Sequence, residues 1–193
     1  MDIESFISFS LKEDIGSGDH TSLATIPADA KGKARLLVKD EGIIAGVDLA
    51  IKIFHKVDPL LQVTILISDG SRVKYGDVVL TVEGSDRSIL TAERLVLNCM
   101  QRMSGIATTT SRYAEKLAGL KARVIDTRKT TPLMRELEKL AVRLGGGGNH
   151  RMGLYDMILV KDNHVDYAGG IRAAIRNVKQ YLKENGLQLP VEI

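Results

Sequence analysis

The chain has little of several residue types, and each shortage excludes a class of protein. A single cysteine, Cys99, among 193 residues excludes a disulfide within the chain and fits a reducing compartment. Tryptophan is absent and aromatic residues make up only 4%, which argues against the stacking platforms that bind single-stranded nucleic acids. No apolar run approaches the length of a membrane span, and the first ten residues lack the pattern of a signal peptide. We therefore expect a cytoplasmic protein.

Several motifs of nucleotide-binding and hydrolytic enzymes are missing as well. There is no GxxxxGK(S/T) phosphate loop, no dinucleotide fingerprint after a strand and no GxSxG nucleophile elbow. The histidines show no spacing typical of zinc ligands. The net charge is only +3, so the positions of the basic residues are more informative than their number.

The first part of the chain has the pattern of a small α+β domain. Apolar spacing predicts helices over residues 3–11 and 48–57 and strands over 33–39, 43–47, 61–67 and 78–82. Residues 13–22 are predicted as a loop because they are rich in Gly, Asp and Ser. A helix over 88–103 follows, with an interruption at Gly105 and a second helix to Leu117.

From residue 122 the pattern alternates between strand and helix. Strands are predicted over 122–126, 157–160 and 189–193, with helices from Thr131-Pro132 to Leu144 and over 170–184. Such alternation predicts a parallel sheet or barrel. A closed eight-stranded barrel needs about 250 residues. The whole chain has 193 residues, so we expect a barrel that is cut short.

The predicted fold class is therefore α/β with two domains. An N-terminal α+β sandwich domain, including an interface helix, is expected over residues 1–104. The first part of an α/β-barrel domain, truncated at its C-terminal part, is expected over 105–193. A barrel truncated in this way would leave Ile193 on an open sheet edge.

Basic residues cluster between Asp126 and His164, where the predicted strands end. Thr127, Arg128 and Lys129 follow one strand and Lys161 follows the next. Because the carboxyl ends of parallel strands face the same way, Lys129 and Lys161 are predicted to line one mouth. Arginine and lysine there suit carboxylates and phosphates, so a polyanionic substrate is expected. A solvated surface pair is the alternative for Arg128 and Lys129.

Two further features are ambiguous from spacing alone. The run Gly145–Gly148, followed by His150 and Arg151, suits a backbone that approaches a ligand or a loop that moves, or else a flexible connector. Arg94 and Arg102 lie on a predicted helix, where their spacing favours a solvated face.

These segments resemble one enzyme family. DTRKTTPLMRELEKLAVRLGGGGNHRMGLYDMILVKDNH is similar to the quinolinate phosphoribosyltransferases, also called nicotinate-nucleotide pyrophosphorylases (carboxylating), as are EDIGSGDHTS and TAERLVLNCMQRMSGIAT. The resemblance spans nearly the whole chain. It implies transfer of phosphoribose from phosphoribosyl pyrophosphate to quinolinate with Mg²⁺, in a homodimer or larger assembly whose sites lie at the subunit interface. The products would be nicotinate mononucleotide, pyrophosphate and CO₂, in de novo NAD synthesis.

The resemblance also implies roles for individual residues. Lys129 and Lys161 are expected to be catalytic, and no side chain is expected to ligate a metal. Arg94 would reach into the neighbouring subunit's site, in place of the solvated position that spacing favours. Substrate-binding roles are implied for Arg94, Thr127, Arg128, Lys129, His150, Arg151 and Lys161.

The end of the sequence departs from the family pattern. The family's substrate-contacting glutamate would lie just beyond Ile193, so Glu192 is not assigned that role, and we expect the 193-residue chain to be unstable or inactive alone. One alternative is a non-catalytic truncated remnant that binds anions or a partner subunit. The other is a molybdenum-transport-associated homologue, which shares the DTRKT motif but tends to lack KDNH.

Overall fold

A computed structural model describes residues 2–193 and divides them into two compact units, one ending at Asn149 and the other comprising His150–Ile193. The elements of the first unit are α1 (Ile3–Ile15), α2 (His20–Thr25), β1 (Lys31–Leu37), β2 (Gly42–Ile43), α3 (Val47–Val57), β3 (Gln62–Ile65), β4 (Arg72–Val73), β5 (Val78–Ser85), α4 (Asp86–Lys116) and α5 (Arg135–Leu144). The second unit contains β6 (Ile158–Leu159), α6 (Asp162–Tyr167), α7 (Ile171–Glu184) and β7 (Val191–Glu192). None of the helices in residues 2–193 combines the length and apolar character needed to cross a membrane.

The first unit is built on two small antiparallel sheets. Strand β5 lies between β1 and β3, and β2 pairs with β4. Buried side chains of β5, including Leu80 and Val82, join those of α1, α3 and α4 in one apolar core. Burial there raises the pKa of the Cys99 thiol to about 11, so this thiol is a core side chain rather than a nucleophile. This layer of helices on sheets confirms the predicted α+β sandwich.

The N-terminus of helix α3 is capped by a carboxylate from another loop. Gly46 precedes the helix with φ +97°, and Asp69 accepts hydrogen bonds from the backbone N–H groups of Gly46, Val47 and Asp48 at 2.6, 2.9 and 3.1 Å. These groups have no acceptor within the helix, so Asp69 satisfies the free donors of the first turn. The predicted helix over 48–57 is confirmed.

Helix α4 is continuous, and the interruption predicted at Gly105 is wrong. A glycine inside a helix costs about 1 kcal/mol relative to alanine, which packing can offset. Met103 and Ala107 on either side of Gly105 are fully buried in the core and hold the helix in place. The predicted domain boundary between residues 104 and 105 falls inside this helix and stays a prediction.

The loop predicted over residues 13–22 is shorter than expected. Helix α1 extends to Ile15, and α2 begins at His20 after Asp19, whose carboxylate accepts a hydrogen bond from Ser22 N at 3.1 Å. Aspartate is among the favoured N-cap residues, so Asp19 is a local signal for the start of a helix. That signal was present in the sequence, but the glycines around it favoured a loop.

The strand predicted over residues 122–126 is reduced to a single parallel bridge between Ile125 and Gly148. Gly148 N donates to Val124 O at 2.8 Å, and Asp126 N donates to Gly148 O at 3.1 Å. The ladder does not extend further because the neighbouring Gly147 N donates to Val142 O at the end of α5. The strand prediction is therefore wrong in extent, and the bridge is to Gly148 rather than to another predicted strand.

Helix α5 begins later than predicted. Thr131 and Pro132 do not cap it, since Met134 N donates to Thr131 O in a turn and the helix starts at Arg135. Leu133 in this turn has φ +67°, which a right-handed helix cannot accommodate. It is the one residue other than glycine with positive φ among residues 2–193.

The second unit has a parallel strand pair with a helical connection. Strand β6 pairs with β7 in the register Ile158 to Val191 and Leu159 to Glu192. Helix α7 matches the predicted helix over 170–184, whereas α6 was not predicted. Parallel strands joined through helices confirm the predicted α/β class for this region.

Candidate functional site

The Thr127–Lys129 loop holds two of the predicted substrate-binding cations. Lys129 is exposed, and its backbone N–H donates to Thr127 Oγ1 at 3.1 Å, which shapes the loop. The side chain of Arg128 is half-buried, and its Nε is the one buried side-chain nitrogen or oxygen without a hydrogen-bond partner in the described residues. A buried donor without an acceptor costs about 1–3 kcal/mol. Such a donor in a loop of cations indicates a binding position for an anion.

A buried ion pair anchors the start of this loop. Lys139 of α5 contacts Asp126 Oδ1, and the two side chains are only 1% and 7% exposed. Asn149 donates from Nδ2 to Asp126 Oδ2 and to Lys139 O, the latter at 2.8 Å. We name this group the Asp126 cluster. It joins the end of the 124–126 segment, the middle of α5 and the last residue of the first unit.

A second network holds the segment that follows. Glu138 is buried on α5 and accepts hydrogen bonds from Arg102 Nε and from Thr131 N, at 2.9 and 3.2 Å. Burial raises the pKa of Glu138, but the hydrogen bonds from Thr131 and Arg102 outweigh it and bring the pKa below its ordinary value. Arg102 is exposed, as its spacing predicted, and its guanidinium also ties α4 to α5 through Glu138.

The glycine run is a packing feature of the first unit. A Cβ on Gly145 would lie 2.3 Å from Ala107 O, and one on Gly147 would lie 2.8 Å from Thr110 Cγ2. Both neighbours belong to α4, so the run allows the end of α5 to pack directly on that helix. The sequence predicts that this run approaches a ligand, moves as a loop or serves as a flexible connector. The packing on α4 is a role that the sequence does not predict.

In the second unit, His150 and Arg151 are tied to the strands. His150 Nε2 lies 2.9 Å from Glu192 Oε2 on β7. Arg151 is 9% exposed and donates from NH1 to Met157 O at 3.3 Å. Arg151 also lines a cavity of about 310 Å³ together with Met157 and His164. This cavity is open to solvent and is lined in part by Arg151, which is a predicted substrate-binding residue.

Lys161 stands at the start of α6. It is exposed, and its backbone N–H donates to His164 Nδ1 at 3.0 Å. The sequence KDNH therefore has a structural reason for its histidine, which orders the turn that bears Lys161. Arg94 is exposed on the surface of α4.

The structure thus brings some of the predicted residues together, while their roles in binding and catalysis stay predictions. Thr127, Arg128 and Lys129 form one loop in the first unit, and His150 and Arg151 form one segment in the second. The common mouth for Lys129 and Lys161 stays a prediction. Across residues 2–193, no group of three or more His, Cys, Asp or Glu side chains is placed to hold a metal ion.

Sequence reasoning missed three supporting residues of these loops, Glu138, Lys139 and Asn149. Glu138 and Lys139 are adjacent on α5 and lie outside the apolar stripe that contains Leu137 and Ala141. The helical periodicity therefore predicts that both side chains face solvent. Their burial comes from neighbours distant in sequence. The one local signal was the acidic Asp126 placed directly before a basic motif.

Family models match almost the entire sequence in two consecutive parts. The model described as Quinolinate phosphoribosyl transferase, N-terminal domain, matches residues 19–104. The model described as Quinolinate phosphoribosyl transferase, C-terminal domain, matches residues 106–193.

Similar proteins have consistent names. Quinolinate phosphoribosyltransferase (decarboxylating) 1b of Nicotiana tabacum is 49% identical over 193 residues, which are 100% of this chain and 55% of that protein. The chloroplastic nicotinate-nucleotide pyrophosphorylase (carboxylating) of Arabidopsis thaliana is 48% identical over 100% of this chain and 55% of its own length. The chain thus spans about half the length of the curated relatives it matches.

Solved structures agree with this likeness. The nicotinate-nucleotide pyrophosphorylase from Francisella tularensis superimposes with a TM-score of 0.89 at 38% identity, over 99% of this chain and 67% of that one. NadC from Streptococcus pyogenes gives a TM-score of 0.88 at 40% identity, over 93% of this chain and 65% of that one.

Proposed function

Because the chain belongs to the quinolinate phosphoribosyltransferase family, we propose that it acts in the transfer of phosphoribose from phosphoribosyl pyrophosphate to quinolinate. The products are nicotinate mononucleotide, pyrophosphate and CO₂, a step of de novo NAD synthesis. The enzyme class is nicotinate-nucleotide pyrophosphorylase (carboxylating), a pentosyltransferase.

The observation that most supports this proposal is the unsatisfied Nε of Arg128. Its loop lies between the Asp126 cluster and the turn held by Glu138, so the guanidinium is presented on a supported backbone. A carboxylate of quinolinate would supply the acceptor that Nε lacks. A planar guanidinium can bind a carboxylate through two parallel hydrogen bonds, which also orients the pyridine ring.

The other cations match the remaining negative charges of the two substrates. Quinolinate has a second carboxylate, and the donor has a phosphate and a pyrophosphate. We assign quinolinate binding to His150 and Arg151, together with Arg94 from the neighbouring subunit of a homodimer. Lys129 and Lys161 are exposed ammonium groups, which suit the pyrophosphate and its developing charge. Thr127 shapes the loop by accepting from Lys129 N.

The reaction asks the protein for positioning and electrostatic stabilisation. The bond from ribose C1 to pyrophosphate oxygen breaks and its electron pair leaves with pyrophosphate, while the pyridine nitrogen forms the new bond to C1. The ring becomes a pyridinium. The adjacent carboxylate then leaves as CO₂, and the electron pair left on the ring carbon is stabilised by the positive nitrogen and takes a proton. No covalent protein intermediate is required.

Mg²⁺ is proposed to enter with the donor. Magnesium commonly binds through substrate phosphates with few protein carboxylates, and it would supply charge neutralisation for the departing pyrophosphate. We further propose a cytoplasmic location for the working enzyme. The sequence relatives do not favour the two alternatives, a non-catalytic remnant and a molybdenum-transport-associated homologue.

The test measures binding and turnover separately. Titration calorimetry with quinolinate should show binding by the chain, and release of CO₂ from carboxyl-labelled quinolinate should require both the donor and Mg²⁺. Arg128→Lys should weaken quinolinate binding at least about tenfold, because a lysine cannot make the paired contact. Arg123→Lys is the matched control, since Arg123 is exposed five residues upstream in the same segment.

The outcomes separate the proposal from its main alternative. CO₂ release that depends on both substrates supports the enzyme. Tight quinolinate binding without turnover, in the chain and in any longer protein containing it, would favour the non-catalytic remnant. Equal quinolinate affinity in the Arg128→Lys and Arg123→Lys variants would contradict the role given to Arg128.

A further inference from the structure

Glu192 pairs with a residue of the proposed site, although the family pattern gives it no substrate contact. Its carboxylate Oε2 lies 2.9 Å from Nε2 of His150, which is 42 positions earlier in the chain. The side chain of His150 is 15% exposed and that of Glu192 is 54% exposed. Both residues belong to the second unit.

The position of this carboxylate is set by the sheet. Glu192 pairs with Leu159 in the parallel register of β6 and β7, and Glu192 O accepts from Val160 N at 2.8 Å. The backbone that bears the carboxylate is therefore held on a strand. A group on a strand can fix the orientation of a neighbouring ring better than one on a free loop.

The chemistry of the contact determines which imidazole nitrogen has a proton. A carboxylate can only accept, so the hydrogen bond requires a proton on Nε2. An acceptor at Nε2 therefore favours the tautomer that has its proton on Nε2. A second group that fixes tautomer and ring plane is a recurring feature of functional histidines.

We propose that Glu192 is a positioning residue that holds the His150 ring in one orientation with the proton on Nε2. The inference deepens the proposed function and rests on it for the role of His150 in binding quinolinate. Because the pair is partly exposed, its contribution to folding is small. Its removal should therefore change the ring and its ligand contacts while the fold persists.

A spectroscopic test addresses the orientation directly. Nitrogen NMR of the histidine-labelled chain, at a pH where the ring is neutral, should show His150 with its proton on Nε2. Glu192→Ala should lower the fraction of His150 that has its proton on Nε2. Glu184→Gln is the matched control, because Glu184 lies on α7 and accepts from Gln180 instead. A proton on Nδ1 of His150, or the same tautomer ratio in Glu192→Ala, would overturn the inference.

A binding cycle tests whether Glu192 acts through His150. Glu192→Ala should weaken quinolinate binding about tenfold, the order expected for one charge-assisted hydrogen bond. In the His150→Ala background the same change should have no further effect. An equal loss in both backgrounds would mean that Glu192 acts independently, which contradicts a positioning role. If the unaltered chain binds no quinolinate, the proposed function fails, and the tautomer measurement alone decides the inference.

Discussion

Lys139→Met is expected to be among the most destabilising substitutions on α5. The change removes the ammonium group that contacts Asp126 and keeps a side chain of similar length. Lys139 is 1% exposed, so no rotation of the methionine returns water to the carboxylate it leaves behind. The perturbation thus isolates the charge of one buried group from its volume.

The magnitude follows from the burial of both partners. Breaking a buried ion pair by removing one side costs about 3–5 kcal/mol, because the other charge stays buried. The side chain of Asp126 is 7% exposed, and it keeps the hydrogen bond from Asn149 Nδ2. That remaining bond places the expected loss near the lower bound, about 3 kcal/mol. The loss would be a large part of the stability of an ordinary domain, which is about 5–15 kcal/mol.

Urea unfolding followed by circular dichroism provides the measurement. The free energy of unfolding of Lys139→Met should fall by about 3 kcal/mol relative to the unaltered chain. Lys52→Met is the matched control, since Lys52 is an exposed lysine on α3, and its change should stay within about 0.5 kcal/mol. Adding Asp126→Asn to Lys139→Met should cost less than the sum of the single changes, by about 1–3 kcal/mol.

A small effect would contradict a stabilising role for the ion pair. If Lys139→Met and Lys52→Met shift the free energy of unfolding equally, the ion pair does not hold the loop. Additivity of the Asp126 and Lys139 changes would also contradict a direct interaction between them.

Three further predictions concern the backbone and the pH dependence of stability. Leu133→Gly should raise the melting temperature and increase the free energy of unfolding by about 0.5–1 kcal/mol, because glycine adopts φ +67° without the steric cost of a Cβ. Leu133→Ala keeps a Cβ and should give no such increase. Gly145→Ala should destabilise by about 1–3 kcal/mol because its Cβ meets backbone, whereas Gly105→Ala, with open space around it in α4, should stabilise by about 1 kcal/mol. Since the folded-state pKa of Glu138 is lowered, its contribution is present above the ordinary glutamate pKa of about 4.3 and is lost as pH falls through the folded-state value. Glu138→Gln should therefore flatten the acid side of the stability curve, and an unchanged slope there would contradict the network around Glu138.

Local sequence patterns predicted much of the fold. The helix over 48–57 and the helix over 170–184 follow apolar spacing and are observed nearly at the predicted bounds. Errors arose where a local rule competed with packing. Gly105 predicts a break in the helix, but its buried neighbours keep α4 continuous. Pro132 predicts the start of a helix, but the positive φ of Leu133 delays that start to Arg135.

The residues of the candidate site also fall into two groups, those that sequence motifs predicted and those that only the structure showed. Arg128, Lys129 and Lys161 could be selected because contiguous motifs place them at the ends of predicted strands. The partners that hold those motifs could not be selected, because they are distant in sequence. Arg102 and Glu138 are 36 positions apart, and His150 and Glu192 are 42 apart.

The sequence by itself determined the chemistry of this protein: a set of cations in motifs that match one family and suit a polyanionic substrate. Charge and hydrogen-bonding groups belong to residue types, so they can be read without a fold. Only the tertiary structure decided which of these groups are buried, paired or unsatisfied. Burial of Lys139, the pairing of Glu192 and the free Nε of Arg128 depend on which segments pack together, and packing is a property of the folded chain.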